Sequence, residues 1–365
     1  MPALKQINLG IIGVAGRGGS FRASVAAIDS MRLHAVCDLN EQGLNKAASE
    51  LGVEHKYTDY EQMLDKAGVD AVIVGTPMPL HVPQAIAALK RDIHVISEVP
   101  ASVSIEESRD LVKAANASKA VYMMAENYTY QKNNQVVKEM VRRGEFGKTY
   151  YAEGEYVHEL KGLNEITKWR RKWQTGINGV TYGTHSLGPI LQWMPGDRVE
   201  KVCCAGSGHN HVDPRGDKYE NEASCVMLCK MASGGLVKIR VDMLSDRPHD
   251  MSYYHLQGMD GAYYADGRIW LRSRSDNPNQ WRQISEFYDE FTPDNWVRFE
   301  ELAKKAGHGG RDLLELIDFV DEIEGKRPCE IGIHQAMDMT LPGLVSQLSI
   351  ANEGQWMDVP DSRKW

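Results

Sequence analysis

The chain has 365 residues, 42% hydrophobic and 25% charged, with a formal net charge of -8. That length exceeds what one compact core serves, so two domains are expected, and the absence of a basic stripe argues against nucleic acid as a partner. No run of eighteen apolar residues offers a membrane span, and MPALKQINLGIIG enters a strand-like run without the sections of a secretory signal, so a soluble cytoplasmic protein is expected.

The first part of the chain alternates short apolar runs with amphipathic stretches. INLGIIG, LHAVCD, DAVIVGTP, HVISEVP and AVYMMAEN read as buried parallel strands. Between them, Glu41–Leu51, Pro79–Lys90 and Ile105–Ala117 read as helices, the last opening on Ser104 with Glu107 three residues on, a capping box. This alternation predicts a doubly wound parallel sheet, a Rossmann domain over residues 1–125. Beyond it, a helix at Lys132–Arg143 leads into TYYAEGEYV, EKVCCAGSG, ASCVMLCKM, GGLVKIRVDML, SYYHLQGM and GAYYADG, separated by Gly- or Asp-containing turns. These predict a large, open, mostly antiparallel sheet, and with helices near Arg311–Glu324 and Gln335–Asn352 they make a second α/β domain over 126–365. The six cysteines, at 37, 203, 204, 225, 229 and 329, form no CxxC pair and read as core residues.

Chemistry-bearing residues begin after the first strand, at Gly13-Val-Ala15-Gly16-Arg17-Gly18. A dinucleotide fingerprint needs glycine at the tight turn, a tiny residue under the pyrophosphate and glycine where helix meets strand. Ala15 takes the middle place with Gly16 beside it, and the following helix start offers amides to phosphate. Asp38, twenty residues past Gly18 at the end of the second strand, suits both ribose hydroxyls. A carboxylate there repels a 2′-phosphate, and Leu39-Asn40 bring no arginine, so NAD is expected over NADP.

With these marks, TPMPLH at 76–81, ISEVP at 96–100, the WR pair at 169–170 and His185, the chain resembles the Gfo/Idh/MocA family of NAD(P)-dependent sugar enzymes along essentially its whole length. The resemblance implies a sugar or glycoside substrate and a sheet face used for dimer or tetramer contacts. It implies that Thr76, Pro77 and His81 border the adenosine and nicotinamide ribose, that Glu98, Val99 and Asn127 lie near the nicotinamide, and that Trp169 and Arg170 reach the cofactor from the second domain. The bland alternatives are that His81 merely begins a helix and Trp169 is core. The family pattern Glu-Lys-Pro is broken here, with Val99 in place of the lysine that helps hold the substrate hydroxyl.

A second departure lies in NGVTYGTHSLGP at 178–189. Family dehydrogenases carry Asp-x-Gly-x-His-x-x-Asp there; this chain has Thr181 and Gly188 at the acidic places and gains Tyr182. With WRRKW at 169–173, ENYTY at 126–130 and GEYVHEL at 154–160, the run is similar to the NAD-dependent glycoside hydrolases typified by α-N-acetylgalactosaminidases. In that branch a Tyr and a His three apart serve as acid–base groups. Such residues share one side of a helical turn; Gly179 and Gly183 would let the chain approach a bound ring, and Pro189 would sit near a first helical turn. The expected chemistry is transient C3 oxidation of a sugar by hydride transfer to NAD⁺, then elimination, water addition and re-reduction, so that hydrolysis is redox-neutral.

Histidine titrates near neutrality and suits the C3 hydroxyl, so His185 is assigned as base, with Tyr182 and Tyr156 serving elimination and water addition. The competing readings are a conventional NAD-dependent sugar or inositol dehydrogenase and a non-catalytic NAD-binding regulator. GHNHVDPRGD at 208–217 places His209, His211 and Asp213 together, but the chemistry requires no metal and the segment reads as a solvated loop.

Overall fold

A computed structural model describes residues 6–248 and 250–365. The chain divides into two compact units. The first holds residues 1–127, 298–337 and 362–365; the second holds 128–297 and 338–361. The chain thus leaves the first unit two residues past the expected division at 125/126, and it also returns to it. Residues 298–337, expected in the second domain, belong with the first because their helix Arg311–Ile323 packs on that unit's own strands and helices.

The first unit is a six-stranded parallel sheet in the order β3-β2-β1-β4-β5-β6, from β1 (Ile7–Ile12), β2 (Met31–Cys37), β3 (His55–Tyr57), β4 (Ala71–Val74), β5 (His94–Glu98) and β6 (Tyr122–Ala125). The apolar runs are continuous because helices cover both faces; all four residues of β4 are buried. α1 (Arg22–Ala26), α2 (Glu41–Leu51), α3 (Tyr60–Lys66), α4 (His81–Leu89) and α5 (Ile105–Ala117) make the crossovers. Ser104 caps α5 as expected, with Glu107 N–H donating to Ser104 Oγ at 3.1 Å, but the reciprocal half of a capping box is displaced by one residue, Glu107 Oε2 accepting from Val103 N–H rather than from Ser104 N–H. Strand order reverses between β1 and β4, which puts the switch point of the sheet at their C-terminal ends. Two readings need correction. β3 escaped notice because HKY is short and polar, and α4 starts at His81, after a 3₁₀ turn at Met78–Leu80.

The second unit is a nine-stranded sheet in the order β14-β13-β12-β11-β7-β10-β9-β8-β15. Its strands are β7 (Thr149–Val157), β8 (Val199–Gly206), β9 (Ser224–Met231), β10 (Leu236–Asp242), β11 (Asp250–Gly258), β12 (Gly261–Tyr264), β13 (Arg268–Leu271), β14 (Arg282–Gln283) and β15 (Met357–Asp358). Every pairing is antiparallel except β7 with β10. Helices α6 (Lys132–Arg142), α7 (Lys161–Ile166), α8 (Trp169–Trp173) and α9 (Thr184–Trp193) follow in chain order. α9 packs on β7, β10 and β11. Gly154 of β7 makes that approach possible, since a Cβ there would lie 2.1 Å from Ser186 O. The opposite face carries cross-strand ion pairs, Glu153 with Lys238 and Glu155 with Arg240. All six cysteines are free, and five are buried.

Candidate functional site

In the first unit the predicted nucleotide residues gather at the C-terminal ends of the parallel strands. Gly13 follows β1, Asp38 follows β2, Thr76 and Pro77 follow β4, Glu98 ends β5 with Val99 next, and Asn127 lies two residues past β6. Gly13 has φ of +89°, and a Cβ there would sit 2.7 Å from Gly75 O. A Cβ on Gly18 would lie 2.8 Å from Gly13 O, and one on Gly75 would lie 2.5 Å from Gly18 Cα. Backbones therefore touch where only hydrogen fits, as the fingerprint requires. The methyl of Ala15 is turned against α2, 2.7 Å from where a Gly43 Cβ would stand. The helix start expected after the loop is a 3₁₀ turn, Arg17–Phe21, leading into the short α1.

Asp38 braces this loop. Its Oδ2 accepts from Ala15 N–H and its Oδ1 from Asn40 N–H, each at 2.9 Å. Thr76 Oγ1 donates to Gln84 Oε1 at 2.6 Å. The ring nitrogens of buried His81 lie 3.0 Å from Pro100 O and 2.9 Å from Thr76 O, so this imidazole ties the turns after β4 and β5 together. Val99 is buried.

Arg17 points inward. It pairs with Glu98 at 2.7 Å and forks onto Asp312 at 2.7 and 3.0 Å. Asp312 also meets His308 at 2.9 Å and accepts from Asn127 Nδ2 at 3.1 Å. Burial pushes the Asp312 carboxyl up, but hydrogen bonds from His308 and Arg17 outweigh it and hold the group well below the usual carboxylate range. Because a carboxylate only accepts, the Asn127 amide nitrogen must face Asp312. Its Oδ1 is then buried with no hydrogen-bond partner among the described residues.

Beneath lies Glu315, fully buried with neither carboxyl oxygen hydrogen-bonded among the described residues. Burial first, and the Asp312 charge second, raise it well above its ordinary range. Its folded state therefore keeps a proton that the unfolded chain releases above about pH 4.3, so stability falls as pH rises from there toward the raised value. Glu315→Gln has no proton to lose. By thermal melting at pH 8 it is expected to unfold a few degrees above the parent chain, with the gap closing toward pH 4.5; a variant melting lower at pH 8 would contradict this.

In the second unit the structure brings together all three residues assigned to proton transfer. The His185 ring lies 5.1 Å from that of Tyr156 and 5.4 Å from that of Tyr182, and the two phenol rings are 5.7 Å apart. Two further residues join them. Tyr128 packs against His185 with ring centres 4.3 Å apart and planes tilted by 40°, and His158 Nδ1 lies 2.8 Å from the Tyr156 hydroxyl. Both stood in motifs already quoted, ENYTY and GEYVHEL; the signal for His158 was its i+2 place after Tyr156, which puts it on the same face of an extended chain. Tyr128, Tyr156 and His185 are buried, and Tyr182 is half-buried.

The turn carrying Tyr182 and His185 differs from expectation. α9 begins at Thr184, so Tyr182 precedes the helix and Pro189 falls in its interior. A proline there cannot donate to the carbonyl of His185 four residues back, and the Tyr254 hydroxyl donates to that carbonyl instead, at 2.5 Å. Gly179 and Gly183 serve the chain itself. A Cβ on Gly179 (φ +100°) would meet Ser346 Oγ at 2.8 Å, and one on Gly183 would meet Val180 Cγ1 at 2.8 Å. Ser346 Oγ in turn accepts from Val180 N–H.

Trp169 and Arg170 lie on α8. Arg170 donates to Thr167 Oγ1 at 3.0 Å and to Gln174 Oε1 at 2.8 Å, with its guanidinium 4.5 Å over the Trp169 ring. In the 208–217 segment, Asp213 is held by Arg215 at 2.6 Å and Arg171 at 3.2 Å, while His209 Nδ1 faces Tyr219 O. Among the described residues no group of three or more His, Cys, Asp or Glu is arranged to hold a metal. No helix among them is long and apolar enough to cross a membrane.

Known proteins fit this arrangement. The oxidoreductase family with an NAD-binding Rossmann fold, Gfo/Idh/MocA, matches residues 7–126, and the C-terminal domain of glycosyl hydrolase 109 matches residues 130–365. A glycosyl hydrolase family 109 protein of Saccharopolyspora erythraea is 30% identical, over 98% of this chain and 84% of that protein. One from Shewanella pealeana is 28% identical, over 99% and 86%. Among solved structures, a levoglucosan dehydrogenase in complex with NADH and levoglucosan superposes with a TM-score of 0.83 at 20% identity, over 97% of this chain and 100% of that one, a likeness of fold. Its two parts each matching their own family model, and its full-length likeness reaching 30% identity, the chain belongs to glycosyl hydrolase family 109, enzymes whose Rossmann domain is of the Gfo/Idh/MocA type.

Proposed function

We propose that this enzyme hydrolyses glycosides without net redox change, with NAD bound by the first unit and proton transfers carried by the second. The observation that carries the reading is the gathering of His185, Tyr156, Tyr182, His158 and Tyr128 in one cluster. Direct displacement at C1 calls for a pair of carboxylates; a set of phenols and imidazoles suits stepwise proton transfer.

The residues of the first unit fit NAD. The glycine stack lets backbone approach a pyrophosphate, Asp38 suits two ribose hydroxyls, and the orphaned Asn127 Oδ1 awaits a donor such as a carboxamide N–H. Asp38, followed by Leu39 and Asn40, favours NAD over NADP. When bound, NAD⁺ supplies a hydride acceptor that returns the same hydride at the end of the cycle. Gly13, Ala15, Gly16 and Gly18 would hold its phosphates, and Thr76, Pro77, Glu98 and Val99 would border its ribose and nicotinamide.

His185 takes the proton of the C3 hydroxyl as C3 is oxidised. The C3 ketone then acidifies the C2 proton, and the Tyr156–His158 pair receives it: a lone phenol has a pKa near 10, and the imidazole at 2.8 Å offers a second site for the proton. The C2 carbanion expels the C1 substituent, whose oxygen takes a proton from Tyr182. Water adds back to C1, C2 is reprotonated, and C3 is re-reduced. Val99, apolar and buried where related dehydrogenases carry lysine, leaves the C3 hydroxyl to His185.

The enzyme, NAD⁺ and a panel of aryl glycosides should therefore release aglycone with no accumulation of NADH, and in heavy water the product sugar should carry deuterium at C2. Stoichiometric NADH would instead make it a dehydrogenase. Tight NAD binding with no aglycone from any sugar would make it a regulator.

A further inference from the structure

The guanidinium of Arg17 stands in the phosphate-binding loop, yet three of its five N–H groups already donate within the first unit, and its Nε edge forms an ion pair with Glu98. Nε meets Glu98, Nη2 meets Asp312, and Nη1 meets both Asp312 and the Ser20 hydroxyl, which itself donates to Arg17 O. The ring of Phe21 covers the guanidinium at 4.3 Å. Its main anchor comes from 295 residues away. Asp312 lies in the first turn of the Arg311–Ile323 helix, where the helix dipole favours a carboxylate, and that helix packs on β6 and α1. The same carboxylate holds Asn127 and His308, and the Gly307 turn closes against it, leaving no room for a side chain, since a Cβ would lie 2.9 Å from Asp312 Oδ2.

We propose that Asp312 is the positioning residue of the cofactor site: it makes Arg17 an internal strut that sets the shape of the glycine-rich loop, and it fixes Asn127 with its oxygen turned away from the carboxylate. Arg17 then acts on the cofactor through loop geometry rather than by touching phosphate. This rests on the reading that the first unit binds NAD. A bidentate arginine–carboxylate fork is directional as well as strong, which is what a strut requires.

The test is NAD titration of the full-length wild type, Arg17→Gln, Asp312→Asn, the double variant and Arg17→Lys, each with a melting curve. Each of the first two variants should weaken NAD by about tenfold, and the double variant should lose no more than the worse single one, since both break one coupled pair. Arg17→Lys leaves every carboxylate native and keeps the charge, so it tests the point even where Asp312→Asn does not fold. A strut that needs the fork predicts the same tenfold loss; a phosphate contact predicts retained affinity, because lysine binds phosphate well. With a responsive glycoside, the losses should appear in the KM for NAD while kcat at saturating NAD stays near wild type. Additive losses, unchanged affinity in Asp312→Asn, or full affinity in Arg17→Lys would overturn the proposal. A wild-type chain that takes no NAD would instead overturn the cofactor reading, and the strut with it.

Discussion

His185→Ala is expected to lower glycoside turnover by about 10²–10⁴-fold, the usual contribution of a positioned acid–base group, while NAD affinity stays at the wild-type level. The separation of the two effects follows from the fold. His185 belongs to the second unit, within ring contact of Tyr128, Tyr156 and Tyr182, whereas the glycine stack and Asp38 belong to the first. The fold itself should tolerate the change. The Tyr254 hydroxyl bonds the main-chain carbonyl of residue 185, which alanine retains, so α9 keeps its anchor to β11. The measurement is aglycone release at saturating NAD⁺ beside a binding titration of the same preparation. A variant turning over at the wild-type rate would remove His185 from the mechanism, and one that loses NAD as well would place it in the nucleotide site.

Asp38→Ala should weaken NAD by about 100-fold or more, since hydrogen bonds to a charged group are worth about 1.5–3 kcal/mol each and two ribose hydroxyls are involved. The loss has a second source. The carboxylate also anchors Ala15 N–H and Asn40 N–H, and without it the loop and the start of α2 lose their common tie. Preference for NAD over NADP should shrink in the same variant, because the charge that repels a 2′-phosphate is gone. Calorimetric titration with both cofactors reads the two effects together; NAD affinity equal to that of the parent chain would sink the assignment.

Much of this was legible in the amino-acid order, for identifiable reasons. Parallel strands buried on both faces announce themselves as unbroken apolar runs, and the turn after β1 must be glycine-rich because β1, β4 and the loop touch through their backbones. Tyr182 and His185 stood out because their spacing is local. What stayed hidden depends on distance along the chain. Nothing near Arg17 reveals that its partner is Asp312, and nothing near residue 311 reveals that its helix returns to the first unit. The glycines of the 178–189 turn misled for a related reason. Glycine signals a close approach without naming the neighbour, which for Gly179 is Ser346.

The carbonyl of His185 carries one more consequence. Pro189 leaves that carbonyl without its usual amide donor and Tyr254 supplies another, so positions 189 and 254 form a linked choice of donor. A variant that loses the proline regains a backbone donor and relaxes the demand for a phenol on β11, whereas one that keeps it relies on the hydroxyl there. Tyr254 thereby belongs, in any redesign of this enzyme, with the residues that are changed together or left alone.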